Sequence, residues 1–193
     1  REGSIATLTF NRPDARNALS IEMRTLLDEH LLEIETDENI RCVILKGAGN
    51  HFMAGGDVKS MTKIIEKKPS SIRNEFISRI HDLHSIMFTM RRMKKPIIAS
   101  VEGAAAGAGV SMALACDLII ADEESYFTLA YCHIGTSPDG SGTFSLPRAV
   151  GIKKAMEIAL LGEKQTAEDA LKMGLINFIA AAGTLKEKTN LLA

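Results

Sequence analysis

The chain has 193 residues, of which 46% are hydrophobic and 24% charged, with a formal net charge of −1 and a pI of about 6.6. This is the composition of one globular domain with a buried core, and its balanced charge does not favour a nucleic-acid-binding protein. No apolar run reaches the roughly 20 residues of a membrane-spanning helix, and the opening segment REGSIATLTF lacks the pattern of a signal peptide.

The first half of the chain is predicted to form a strand, a helix, a second strand and a long helix. Residues 4–10 alternate between apolar and polar side chains, which predicts a strand, and Ser20 is a good N-cap for the helix that follows. Residues 42–45 form a short apolar strand. After a loop or short helix at 57–65, Pro69 begins a long helix whose last residues are basic, as is favoured at a helix C-terminus.

The second half continues the alternation of strands and helices. Residues 96–101 predict a strand, 107–116 a helix and 118–121 a further strand. The remaining predicted elements are helices at 153–161 and 166–173 and a last strand at 175–180. Strands that alternate with helices indicate an α/β chain built on βα connections.

The three cysteines, Cys42, Cys116 and Cys132, each lie in an apolar segment. We expect buried, reduced thiols, which are typical of a reducing compartment, and therefore a cytoplasmic protein. A mitochondrial or peroxisomal location is the alternative in a eukaryote, since a transit peptide would precede Arg1. No cysteine is spaced from another cysteine or a histidine as metal ligands are, so we expect no metal site.

Two turns of small residues and one isolated acid are the candidate chemistry of the chain. The first turn is MAGGD at 53–57, and the second is GAAAGAG at 103–109, between an apolar strand and a helix. The acid is Asp139, between Pro138 and Gly140. Backbone N–H groups in such turns can hold an oxyanion, and a carboxylate can move a proton. Asp139 is alternatively a simple turn residue, because Pro-Asp-Gly is a strong turn sequence.

The second turn also has the form of a dinucleotide-binding turn. Its GxxxGxG pattern follows a strand and opens a helix, and Asp122 closes the next strand. However, the turn lies in the middle of the chain, whereas short-chain dehydrogenases begin with it. Their Tyr-x-x-x-Lys pair is absent too, because Tyr126 and Tyr131 are followed four residues later by alanine and glycine. We therefore do not favour a nicotinamide-dependent enzyme.

Five segments in unbroken order resemble the crotonase superfamily, also called the enoyl-CoA hydratase/isomerase family. They are NRPDARNALS at 11–20, FMAGGDVKSM at 52–61, ASVEGAAAGAGVSMALACDLIIA at 99–121, IGTSPDGSGTFSLPRAVG at 134–151 and LGEKQTAEDALKMGLIN at 161–177. The resemblance implies an α/β fold of the ClpP/crotonase type, a spiral of ββα repeats with two near-perpendicular sheets surrounded by helices. It further implies a catalytic, acyl-CoA-binding core at 1–178, the start of a truncated or incomplete C-terminal region at 179–193, and a homotrimer.

The resemblance also implies the substrate class and the residues that contact it. Family members bind acyl-CoA thioesters and stabilise an enolate at the thioester oxygen, with coenzyme A as part of the substrate and no separate cofactor. By alignment the two oxyanion N–H groups belong to Ala54 and Ala108. The expected contacts to substrate or coenzyme A are Arg16, Ala18, Met53, Gly55, Gly56, Asp57, Gly107, Tyr131 and Pro138.

Some of these residues keep a structural alternative. Arg16 contacts the phosphates of coenzyme A or is an ordinary surface charge. Asp57 caps or braces the first turn rather than reacting, and Tyr131 lines the acyl pocket. His51 and His133, which flank the motifs, are expected to be structural.

The general base decides which reaction is predicted. Hydratases of the family carry two glutamates that activate a water, and the matching positions here are Ser111 and Tyr131. Asp139 instead matches the acid of the Δ3,Δ2-enoyl-CoA isomerases and 1,2-epoxyphenylacetyl-CoA isomerase-like enzymes. The sequence therefore predicts an acyl-CoA isomerase that moves a double bond from the 3- to the 2-position. The alternatives are an enoyl-CoA hydratase, a ring-opening or ring-expanding isomerase, and a non-catalytic acyl-CoA-binding or scaffold protein.

Overall fold

A computed structural model describes residues 1–65 and 69–193 of the chain. The strands are β1 (Ile5–Phe10), β2 (Cys42–Gly47), β3 (Ile97–Val101), β4 (Ala104–Ala106), β5 (Leu118–Asp122), β6 (Tyr126–Thr128), β7 (Gln165–Thr166) and β8 (Phe178–Ala180). The helices are α1 (Ile21–Thr36), α2 (Val58–Ile65), α3 (Pro69–Arg92), α4 (Ala108–Ala115), α5 (Gly142–Val150), α6 (Ile152–Leu161), α7 (Ala167–Lys172) and α8 (Leu185–Leu192). No helix in these two ranges is both long and apolar enough to span a membrane.

The main sheet has five strands in the order β1-β2-β3-β5-β8, and every neighbouring pair is parallel. Every residue of β3 is buried, as are the first four residues of β2. Parallel sheets are covered on both faces, which explains why these strands are continuous apolar runs rather than alternating ones. The second sheet is smaller, with the order β4-β6-β7.

A strand of the main sheet, a short strand of the second sheet and a helix recur along the chain. The repeat is complete in β3-β4-α4 and in β5-β6 followed by α5. In the first two repeats single parallel bridges, Leu19 to Gly56 and Met53 to Ala105, stand where the short strand would be. This is the ββα repeat that the sequence resemblance implies, and it brings the small-residue turns to one place.

The element predictions are confirmed for the main strands and helices, while several shorter elements differ. Ser20 caps α1 as predicted, because its Oγ accepts a hydrogen bond from the Met23 N–H at 3.2 Å. The strands β4 and β6 and the helix α5 were not predicted, since three alanines show no alternation and Pro147 in α5 discourages a helix. The last strand is shorter than predicted, because the N–H groups of Leu175 and Ile176 bond back to the end of α7.

The segment after β8 is an ordered part of the fold. Helix α8 packs on β3 and β5, where Thr189 Oγ1 lies 2.9 Å from Ser100 Oγ and Leu185 joins an apolar cluster with Ile98 and Ile120. The weak apolar pattern of residues 179–193 gave no sign of this helix. The boundary at residue 178 coincides with the start of β8 and stays a prediction.

The cysteines differ from the sequence expectation at one position. Cys42 and Cys116 are buried free thiols, as expected, whereas Cys132 is exposed. It lies in a 3-10 turn, Ala130–Ile134, in which Tyr131 is the buried residue, so the neighbouring side chain points outward.

Candidate active site

A cavity of about 1110 Å³ lies where the small-residue turns meet α2, α3 and the start of α5. Most of the residues predicted to contact substrate line it together with the predicted base. They are Ala54, Gly55, Gly56, Asp57, Gly107, Ala108, Tyr131, Pro138 and Asp139. The sequence motifs therefore converge on one site although they are spread over some 85 positions of the chain.

The two small-residue turns touch through their backbones. Met53 donates its N–H to the Ala104 carbonyl at 3.0 Å, and its own carbonyl accepts from the Ala106 N–H at 2.8 Å. A Cβ placed on Gly109 would lie 2.4 Å from the Met53 carbonyl oxygen, and one on Gly55, at φ +92°, would lie 3.0 Å from the Ala106 carbonyl oxygen. Glycine at these positions is required for the close approach of the two turns.

The N–H of Ala108 is free to serve as a donor into the cavity. Ala108 is the first residue of α4, and the first N–H groups of a helix have no partner inside the helix. The preceding N–H, of Gly107, donates to the Thr128 carbonyl at 2.9 Å, whereas that of Ala108 has no backbone acceptor among the described residues. A helix N-terminus also favours negative charge. The Ala108 N–H is therefore available for the predicted role, which stays a prediction.

The prediction that Ala54 supplies the other oxyanion donor is wrong. Its N–H donates to the Arg16 carbonyl at 2.9 Å and is used up in holding the first turn. Gly56 also lines the cavity, and its N–H is better placed for such a role. Leu19 bonds to Gly55 and Asp57 on either side of Gly56, and in such a parallel bridge the N–H of the middle residue points away from the partner. The Gly56 N–H has no backbone acceptor in the described ranges.

Asp139 is held by the two residues at the hydratase glutamate positions. Tyr131 donates its hydroxyl to Asp139 Oδ1 at 2.7 Å, and Ser111 donates its hydroxyl to the Asp139 carbonyl at 2.9 Å. The same carbonyl accepts the Gly142 N–H at 2.9 Å, so Asp139 is a turn residue as well as a cavity carboxylate. Burial, followed by the nearby charge of Asp139, raises the pKa of Tyr131 far above its ordinary value, so the phenol stays a proton donor.

Asp57 braces the first turn, as the sequence analysis expected. Its Oδ2 accepts from both terminal nitrogens of Arg12 at 3.2 Å, and its Oδ1 accepts from the Ser60 N–H at 3.3 Å at the start of α2. Arg12 also donates to the Ala18 carbonyl at 2.6 Å. The carboxylate is therefore engaged by a cation and a helix terminus. Arg12 was not predicted to have a role, because an arginine before a turn is ordinarily a surface residue.

Three predicted contacts do not reach the cavity. Met53 is fully buried in the hydrophobic core, so its side chain supports the turn rather than contacting substrate. Ala18 is half-buried and acts through the carbonyl that Arg12 binds. Arg16 is exposed in a left-handed turn at φ 49°, and its carbonyl holds Ala54. Neighbours of these residues build the cavity wall, and contact of Arg16 with the phosphates of coenzyme A stays a prediction.

Asn17 is a structural residue that the sequence reasoning missed. Its side chain is fully buried, donates to the carbonyls of Ala48 and His51 at 2.9 and 2.6 Å, and accepts from the Arg12 N–H at 2.9 Å. The positive φ of 57° at Asn17 suits asparagine, and the Arg-Asn pair before Ala18 was the available signal. His51 accepts the Ala104 N–H at 3.2 Å, in keeping with the structural role expected for it.

The opposite part of the cavity wall is made of longer side chains from α1, α2 and α3. Arg24, Arg79 and His84 line it, together with the apolar Phe76, Ile80, Leu83, Met87 and Phe88. None of these was predicted as a site residue, since they follow no motif and meet only when α1 packs on α3.

Comparison with known proteins assigns the family. The family model described as enoyl-CoA hydratase/isomerase matches residues 1–193. The chain is 36% identical over 192 residues to 1,2-epoxyphenylacetyl-CoA isomerase of Escherichia coli strain K12, covering all of this chain and 72% of the relative. It is 31% identical over 189 residues to 4-chlorobenzoyl coenzyme A dehalogenase-2 of Arthrobacter sp., covering 98% of this chain and 67% of the relative.

A solved structure confirms the fold. The crystal structure of an enoyl-CoA hydratase from Polaromonas sp. JS666 superposes with a TM-score of 0.91 at 36% identity, covering all of this chain and 73% of that one. The expected ClpP/crotonase-like arrangement of ββα repeats is therefore correct. The chain belongs to the enoyl-CoA hydratase/isomerase family, the crotonase superfamily of enzymes that act on acyl-CoA thioesters.

Proposed function

We propose that this enzyme is an acyl-CoA isomerase that moves a double bond from the 3- to the 2-position of the acyl chain. Asp139 is the proton shuttle, and the N–H groups of Gly56 and Ala108 bind the thioester oxygen. The observation that carries the proposal is the hydrogen-bonded setting of Asp139, which Tyr131 and Ser111 hold. The sequence resemblance implies that these two residues stand at the positions of the hydratase glutamates.

The reaction needs one base and one oxyanion site. The Asp139 carboxylate removes a proton from carbon 2, and the electron pair moves into the thioester to form an enolate. Two N–H groups stabilise the negative oxygen, and in precedents of acyl transfer one such donor is worth about 3–4 kcal/mol. Protonated Asp139 then returns the proton to carbon 4, so that the double bond comes to lie between carbons 2 and 3. No water enters the reaction.

Hydration is the alternative within the same family, because relatives and solved structures are named as isomerases or as hydratases. A hydratase needs a group that positions and activates a water. Among the described residues that line the cavity the carboxylates are Asp57 and Asp139, and Asp57 is paired with Arg12. Tyr131 keeps its proton and donates to Asp139, which leaves the site with one available carboxylate. This favours isomerisation.

The test follows the conversion of a 3-enoyl-CoA to the conjugated 2-enoyl thioester by ultraviolet absorbance, with hydration of a 2-enoyl-CoA assayed beside it. We expect isomerisation without hydration. Asp139→Asn should lower kcat for isomerisation by about 10²- to 10⁴-fold while the Kd for the saturated acyl-CoA changes little. Asp14→Asn, an exposed acid in the turn before α1, is the matched control.

Two results would contradict the proposal. Undiminished isomerisation by Asp139→Asn would mean that another group, such as His84, is the base. Tight binding of acyl-CoA with neither reaction would favour the non-catalytic binding protein.

Further expectations from the family resemblance stay predictions. They are a homotrimer, the cytoplasm as compartment, no cofactor beyond the coenzyme A that is part of the substrate, and contact of Arg16 with the phosphates of coenzyme A. Measurement of the mass in solution tests the first of these, and Arg16→Gln with an acyl-CoA and a phosphate-free thioester tests the last.

A further inference from the structure

Two arginines from different helices meet in the wall of the cavity. Arg24 on α1 and Arg79 on α3 both line it, and Arg24 Nη1 donates to the Arg79 carbonyl at 3.0 Å. Arg79 Nη1 in turn donates to Ser60 Oγ at 3.3 Å. These bonds fix the two side chains at the junction of α1, α2 and α3.

Among the residues that the structure describes, few of the donors on these guanidinium groups have a protein acceptor. Each group has five N–H donors, and the structure gives Arg24 and Arg79 one hydrogen bond each from the guanidinium. The Nε atoms of both are buried and have no acceptor in residues 1–65 or 69–193. Neither arginine forms a salt bridge with a residue in 1–65 or 69–193. Buried cationic donors without an acceptor are costly, so such a pair is ordinarily completed by an anion.

The electrostatic environment of the two arginines also favours an anionic ligand. Burial, followed by the charge of Arg79, lowers the pKa of Arg24, while Asp82 and Asp139 act in the opposite direction. Asp82 is exposed on α3, and Asp139 is the proposed base. Two like charges therefore line the cavity without a salt bridge to either carboxylate. An anionic group that entered would be bound by charge-assisted hydrogen bonds.

The location of the pair identifies the part of the substrate that it would meet. Its neighbours in the wall are apolar, among them Phe76, Ile80 and Leu83, which suit an acyl chain. Arg24 also lies within electrostatic reach of Asp139, whose carboxylate must touch carbon 2 of the acyl group in the proposed reaction. The diphosphate of coenzyme A, by contrast, is separated from the thioester by the length of the pantetheine arm.

On the basis of the proposed function, we infer that Arg24 and Arg79 form a subsite for a carboxylate at the far end of the acyl chain. The preferred substrates are then CoA monothioesters of dicarboxylic acids. Arg24 and Arg79 determine specificity and take no part in the proton transfer. A carboxylate of the acyl chain and a phosphate of coenzyme A both offer anionic oxygens to a guanidinium pair, so the experiment must distinguish these two ligands.

The experiment compares 3-enoyl-CoA substrates that end in a carboxylate with substrates of equal chain length that end in a methyl group, at six, eight and ten carbons. For one chain length, kcat/KM of the unaltered enzyme should be about 10- to 100-fold higher with the carboxylate. Arg24→Gln and Arg79→Gln should each remove most of that preference, because kcat/KM should fall much more for the carboxylate-ended substrate than for the methyl-ended one. Arg73→Gln, an exposed arginine on α3, is the control.

Arg24→Lys and Arg79→Lys guard against misfolding, because they keep the charge and the packing stem and should retain part of the preference. An unaltered enzyme that favours the methyl-ended substrate at every chain length would overturn the inference. A second result would also overturn it: the Gln variants lose kcat/KM equally for both CoA substrates, and the loss disappears when pantetheine thioesters replace them. The arginines would then bind the phosphates of coenzyme A.

A binding measurement tests the subsite even if the enzyme is not an isomerase. If no turnover occurs, calorimetric titration with the saturated dicarboxylic and monocarboxylic acyl-CoA pair still compares their Kd values. The subsite predicts a Kd about 10-fold or more lower for the dicarboxylic compound, and equal Kd values would overturn it.

Discussion

The two walls of the cavity are built on different principles. One wall is backbone: the turns at 53–57 and 103–109 carry small residues, and their N–H and carbonyl groups bond to one another. The other wall, from α1 to α3, is made of long side chains, of which Phe88 is 71% exposed and the arginine pair keeps unused donors.

The difference between the walls matches two different tasks, stabilising the reacting oxyanion and choosing the substrate. An oxyanion donor must keep its position to within a fraction of an ångström, and a hydrogen-bonded backbone between two sheets provides that rigidity. The shape and charge of an acyl pocket, by contrast, can change one side chain at a time without disturbing the fold. The backbone wall therefore suits a reaction common to the family, and the side-chain wall suits a choice of substrate.

The sharpest test of the backbone wall is Gly109→Ala. The new Cβ would lie 2.4 Å from the Met53 carbonyl oxygen, and neither backbone can move without breaking the contact between the turns. We expect a loss of about 3 kcal/mol in the free energy of unfolding, measured by urea denaturation, together with most of the activity, because the adjacent Ala108 N–H would be displaced.

Gly183→Ala is the matched control for that substitution. A Cβ there meets no atom within 4 Å, so its cost is limited to backbone strain at φ +75°, about 1–2 kcal/mol, and activity should be retained. Similar losses of stability and of activity in both variants would mean that the contact between the turns has no special importance.

Tyr131→Phe tests the junction between the two walls with a smaller expected effect. The variant removes the hydroxyl that donates to Asp139 Oδ1 and keeps the ring. A hydrogen bond to a charged group is worth about 1.5–3 kcal/mol, so kcat should fall by about 10-fold or more with KM little changed. Tyr126→Phe, whose ring contacts Lys164 instead, is the control.

The pH dependence of the same pair gives a second check. Because burial and the charge of Asp139 raise the pKa of Tyr131, the folded enzyme keeps the phenolic proton above the ordinary value of about 10. We therefore expect the ratio of kcat between the unaltered enzyme and Tyr131→Phe to stay constant from pH 7 to pH 10. A ratio that falls toward one within that range would show that Tyr131 ionises and no longer donates.

The smallest effect is expected from Phe88→Ala in the side-chain wall. The ring is 71% exposed, so its removal should change the free energy of unfolding by less than about 0.5 kcal/mol. If the wall selects substrates, KM should change for long acyl chains and stay the same for short ones. A large loss of stability would mean that this wall is as structural as the other, and the contrast between them would fail.

Local patterns account for much of what the sequence predicted. The buried strands β2 and β3 and the cap Ser20 follow from apolar runs and from hydrogen bonds between residues close in the chain. The helix α8 and the strand β4 escaped prediction because their partners, in β3 and β6, are distant in sequence. Residues whose structure depends on neighbours far along the chain carry little local signal.

At the site, the sequence by itself determined the family, the place of Asp139 and the need for small residues in both turns, because a motif fixes which residue types the backbone can accept. Only the tertiary structure decided that Gly56 rather than Ala54 offers its N–H to the cavity and that Arg24 and Arg79 share one wall. The direction of an N–H depends on which strand its neighbours bond to, and the meeting of two helices depends on packing across the core. Neither the direction of an N–H nor the contact between two helices can be predicted from the identity of the residues involved.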